Sequence, residues 1–130
     1  MRFAITLLIG LMIGVLGTSS ALNALRQAHV LPRSLMVLID HHQRSVNAEL
    51  AAPSCSTKTV RHHFARLNSL GADIDTVFAT SKDATFLRYA ADLQAATSAA
   101  LHTMATSCAE LTLVATRVDD ACDACHRDYR

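Results

Sequence analysis

The chain is poor in the residues that mark sheets and elaborate turns. Its 130 residues include no tryptophan, two tyrosines, four phenylalanines, four glycines and two prolines. With 51% hydrophobic residues, and alanine and leucine frequent, this composition favours helices over sheet. Strong charge is also missing. The formal net charge is +1 and no basic run appears, so no field suited to nucleic acid or an anionic membrane surface is expected. No catalytic triad, paired carboxylate or phosphate-binding loop is visible, which argues against an enzyme in the usual sense. The length suits one domain with a modest core.

Cysteine is scarce but informatively placed. Two of the four cysteines close the chain in Cys122-Asp123-Ala124-Cys125-His126. Cys-x-x-Cys-His is the attachment motif of a c-type haem. On a helix, residues three and four apart share a face, so Cys122, Cys125 and His126 point the same way. The two thiols can bond to the two vinyl groups of one haem, and His126 can serve as proximal iron ligand. A thioredoxin-type motif needs a βαβ context, which a chain about to end does not supply. A zinc site needs two further ligands, usually another close pair, and the other cysteines are scattered.

Residues 1–24 open with Arg2, run apolar from Phe3 to Gly17 and continue with small residues. This is the pattern of a secretory signal, with cleavage expected after Ala21 or Ala24. A retained membrane anchor is the competing reading, because residues 3–25 are uncharged and long enough to span a bilayer. Either way residues 25–130 form an exported domain, expected in the periplasm and, if the anchor is kept, tethered to the inner membrane.

Four amphipathic segments follow. Leu35, Ile39, His42, Val46 and Leu50 form a stripe over 25–51, with Pro32 either starting that helix or kinking a longer one. Val60, Phe64, Leu67, Ile74 and Phe78 do the same over 57–80, with Gly71 a weak point. Ser81-Lys82-Asp83 is a polar turn. Phe86, Ala90, Leu93, Ala96, Ala100 and Met104 mark a helix over 84–106. Ser107 and Glu110 form a capping box for the last helix, 108–129, whose stripe is Leu111, Val114, Val118, Cys122, Cys125 and Tyr129. Short loops between four such helices imply an all-α, antiparallel up-down-up-down four-helix bundle, with the haem docked near the end of the last helix.

A four-helix domain ending in Cys122-Asp-Ala-Cys125-His126-Arg-Asp-Tyr129-Arg130 resembles the cytochrome c′ family, which shows a similar aromatic-basic pair after the histidine. The resemblance implies one covalent haem c, whose iron is the bound metal. It further implies a residue of the first helix over the distal face. That residue is apolar in pentacoordinate members and a ligating methionine in low-spin ones. Aligned on His42, the position falls on Met36, and cleavage at Ala24 leaves Met36 about as far from the N-terminus as the family expects. Methionine and histidine are a recognised axial pair that raises reduction potential. Arg130 matches the family's basic residue near the proximal pocket or a propionate; a residue at the negative end of the helix dipole accounts for it equally. The resemblance also implies a homodimer through the first two helices.

In the up-down arrangement Met36 and His126 lie at one end. Cys55 and Cys108 lie in the first and third loops at the other, so a disulfide between them is expected, and an oxidising exported compartment permits it. Phe78, Phe86 and Tyr89 flank the remaining loop and are expected to wall the haem pocket. His41-His42 and His62-His63 fall roughly opposite each other. Such pairs can bind zinc or copper, but exposed or core-satisfied histidines are the expectation.

The leading functional expectation is one-electron transfer to a redox partner protein, with His126 and Met36 as axial ligands. A five-coordinate NO- or CO-binding module is the alternative if Met36 does not ligate. A structural haem subunit of a membrane complex is the third.

Overall fold

The computed structural model describes residues 2–78 and 83–129, with side chains given for all of these except residues 2, 4, 6, 8 and 24–29. It is all-helical, and no strand occurs among the described residues. The helices are α1 (Arg2–Ala51), α2 (Thr57–Ala72), α3 (Ile74–Val77), α4 (Ala84–His102) and α5 (Cys108–Asp128).

The chain divides into two units, Met1–Arg33 and Ser34–Arg130. In the first, the apolar side chains described, including Phe3, Ile5, Leu7, Ile9 and Leu11, are exposed. Thr18 and Ser19 return their hydroxyls to the backbone oxygens of Gly14 and Leu16, which satisfies these polar groups within an apolar stretch. Pro32 lies inside α1, immediately before the division. Among the described residues, no helix is long and apolar enough to cross a membrane.

The second unit owes its core to the stripes legible in the sequence. Val46 from α1, Val60 and Phe64 from α2, Ala100 from α4 and Leu111 and Val118 from α5 have no accessible surface. Polar residues fix the starts of the helices. Ser56 accepts the Thr59 N–H at the head of α2, and Asp83 accepts the Phe86 N–H at the head of α4. The expected capping box opens α5, with Ser107 and Glu110 each accepting the other's backbone N–H. Caps of this kind contribute about 1 kcal/mol each.

Two helices end earlier than the periodicity predicts. The segment expected to run over 57–80 breaks at Asp73, whose N–H turns back to the Leu70 oxygen. Just before the break, Gly71 is buried, and a Cβ there would stand 2.9 Å from the Gln94 Oε1. Glycine thus permits the close approach of α2 to α4, at a cost in helix propensity. Helix α4 ends at His102, not 106. Thr103 adopts extended backbone, and Arg61 donates to the carbonyl oxygens of Thr103 and Ala105 at 3.2 and 2.5 Å. Met104, expected on the buried stripe, is therefore in the loop and 90% exposed. Thr97 takes a buried place instead. Its hydroxyl bonds back to Leu93 and accepts from Asn68, so it enters the core without an orphaned polar atom.

Candidate functional site

Four helices converge on one apolar cavity. Helix α1 supplies Met36 and Ile39, and α3 supplies Ile74. From α4 come Phe86, Tyr89, Ala90 and Leu93, and from α5 Ala121, Cys122, Cys125 and His126. The helical spacing of the motif does what it implies locally, turning both thiols and the imidazole toward the same space. The cavity measures about 40 Å³, within a cleft enclosing about 400 Å³ of empty space that includes its open mouth.

Both motif thiols are unpaired with each other. That of Cys122 is pushed up to about 11, first by burial and then by Asp119, Asp123 and Cys125. That of Cys125 is raised by burial and by Asp128. Dithiol oxidoreductases do the opposite, lowering a Cys-x-x-Cys thiol to make it reactive. Among the described residues, no group of three or more His, Cys, Asp or Glu side chains is placed to cage a metal ion. A haem iron does not need such a cage, since the porphyrin supplies four donors. Of the groups around this apolar cavity, one imidazole and one thioether could donate to an iron and two neutral thiols could bond to vinyl groups, a set that would fit a covalently held haem.

No family model, curated protein or solved structure matches this chain. The site must be read from its own chemistry.

The cavity is backed by aromatic rings. Phe86, buried, packs against Phe78 and Tyr129 at centroid distances of 5.6 and 5.4 Å. Two tyrosines then cross between α4 and the end of α5. Tyr129 donates to both oxygens of Asp83 at 2.6 and 2.8 Å, and Tyr89 donates to Asp128 at 2.7 Å. The phenol of Tyr129 is pushed up to about 12, chiefly by that hydrogen bond, and the same bond leads the lowering of Asp83. On the opposite helix pair, Gln43 donates to Asp119 at 2.7 Å and Asn47 donates to it at 3.2 Å, tying α1 to α5 one turn before Cys122.

Of the residues singled out in the sequence, Met36, Phe86, Tyr89, Cys122, Cys125 and His126 share the cavity. Tyr129 and Phe78 reach it through Phe86, as a second layer. Cys55 and Cys108 are joined by a disulfide with Cα atoms 6.4 Å apart. Arg130 lies outside the described residues. The Tyr–Asp crossings had no signal in the sequence, where Asp83 reads only as part of a polar turn, and Gln43 on a buried face had none.

Proposed function

We propose that the chain is an exported c-type cytochrome of cytochrome c′-like, four-helix-bundle architecture that transfers single electrons. One observation carries the reading: the two thiols and the imidazole of Cys-x-x-Cys-His line an apolar cavity together with Met36. Cys122 and Cys125 would hold the porphyrin as thioethers. His126 would supply the proximal nitrogen and Met36 a soft thioether donor that favours ferrous iron. A haem held there supplies a one-electron couple at its iron. Ile39, Ile74, Phe86 and Leu93, which line the cavity, would exclude water from it, which bears on the potential. The Tyr89–Asp128 and Tyr129–Asp83 bonds hold the end of α5 against α4 and so fix the backbone that carries His126. Residues 1–24 serve as the export signal, and the redox partner is a protein.

The deciding experiment is the reduced absorption spectrum of the haem-loaded protein and of Met36→Leu, with and without CO. Ligation by Met36 gives a low-spin wild type that binds CO slowly and a high-spin variant that binds it readily. A wild type that is already high-spin and unchanged by the substitution makes Met36 a packing residue and replaces electron transfer by binding of NO or CO.

A further inference from the structure

Away from the haem cavity, α1 and α2 bring four imidazoles into one row. The ring centroids of His41 and His42 are 5.1 Å apart, those of His42 and His63 5.2 Å, and those of His62 and His63 5.5 Å. The inner two meet directly, with Nδ1 of His42 2.9 Å from Nδ1 of His63. We propose that His42 and His63 form a transition-metal site across α1 and α2, selective for divalent ions of tetragonal geometry, Cu²⁺ and Ni²⁺, with water completing the coordination.

The nitrogen separation carries the argument. Two nitrogens about 2.0–2.1 Å from one ion stand about 2.9 Å apart when they subtend a right angle and about 3.3 Å apart at a tetrahedral angle. The observed 2.9 Å is an ordinary hydrogen-bond distance, and it already brings the two nitrogens as close as neighbouring ligands of a tetragonal ion stand, so binding needs the rings to turn but not the helices to move apart. Binding requires no net loss of a proton. The imidazole that donates the shared hydrogen moves its proton from Nδ1 to Nε2, which leaves both Nδ1 lone pairs for the ion. Both rings are half-buried, so water can reach the remaining positions.

The surroundings favour neutral imidazoles, the form that binds metals. Burial lowers both histidines, and the neighbouring histidines add to this; Arg66 also lowers His42, while Glu49 partly opposes the shift at His63. One carboxylate oxygen of Glu49 is engaged, accepting the Ser56 N–H at 2.7 Å. With no third His, Cys, Asp or Glu converging among the described residues, the proposed site has two protein ligands. Neither His42 nor His63 lines the haem cavity, so the inference stands apart from the cytochrome reading.

The test is calorimetric titration of the full-length chain with Ni²⁺, which does not oxidise thiols. Wild type is compared with His42→Gln, His63→Gln and, as control, His62→Gln. Any binding at Cys122, Cys125 or His126 is common to all four and cancels. One site present in wild type and His62→Gln is expected to be lost, or weakened more than about tenfold, in the other two. Equal stoichiometry and affinity in all four overturns the proposal. Because a variant can fail to fold, wild type is also modified with diethylpyrocarbonate with and without Ni²⁺ and mapped by mass spectrometry. The ion should protect His42 and His63; unchanged modification of both at saturating Ni²⁺ overturns the proposal as well.

Discussion

Tyr129 gives its phenol hydrogen to both carboxylate oxygens of Asp83, at 2.6 and 2.8 Å, and so joins the last turn of α5 to the cap of α4. Asp83 is thereby held below its ordinary 3.8, and Tyr129 is raised to about 12. A lowered carboxylate adds stability above its unfolded pKa and loses it as pH falls through the folded value. A raised phenol adds stability below its unfolded value near 10 and loses it as pH rises through about 12. The pair therefore stabilises fully between roughly pH 4 and 10. Melting curves of wild type and Tyr129→Phe should differ across that window and converge below it. A constant difference down to pH 2 would show that the bond to Asp83 is not its source.

The disulfide joins the α1–α2 loop to the first residue of α5, across 53 positions of sequence. Replacing Cys55 and Cys108 by alanine should cost about 2–4 kcal/mol. In the haem-loaded form proposed above, the absorption spectrum should barely change, since neither cysteine lines the cavity. Urea denaturation with absorbance in the haem region measures both.

Phe64 has no accessible surface and is among the largest fully buried side chains. Phe64→Ala should cost about 3–5 kcal/mol, read from the same denaturation. A loss below 1 kcal/mol would mean that the surrounding helices close the void.

The parts of this fold legible in advance were those written in local periodicity. Val60, Phe64 and Leu67 repeat at helical steps and are buried; Ser107 and Glu110 stand three apart and cap. The haem motif is local too, because a helix converts the spacing of Cys122, Cys125 and His126 into a shared face. What escaped depends on partners distant in sequence. Nothing near Gln43 announces that Asp119 will cover it, nor does anything near Tyr129 point to Asp83. Met104 continued a perfect stripe, yet Arg61 from α2 holds the Thr103 and Ala105 oxygens and the chain leaves the helix first. Met36 is intermediate: it is absent from the stripe of its own segment, and only the resemblance, with its place at the same end of the bundle as His126, singled it out from other methionines.

The central claim is that Cys122 and Cys125 hold a haem covalently. Its most direct test is the intact mass of the full chain, matured in a cell with a haem-attachment system and then denatured in acid-acetone. The predicted result is a polypeptide that keeps the mass of one haem through extraction, with retention weakened by either Cys→Ala change and abolished by both. A bare polypeptide mass, with the haem in the organic phase or absent, would contradict it.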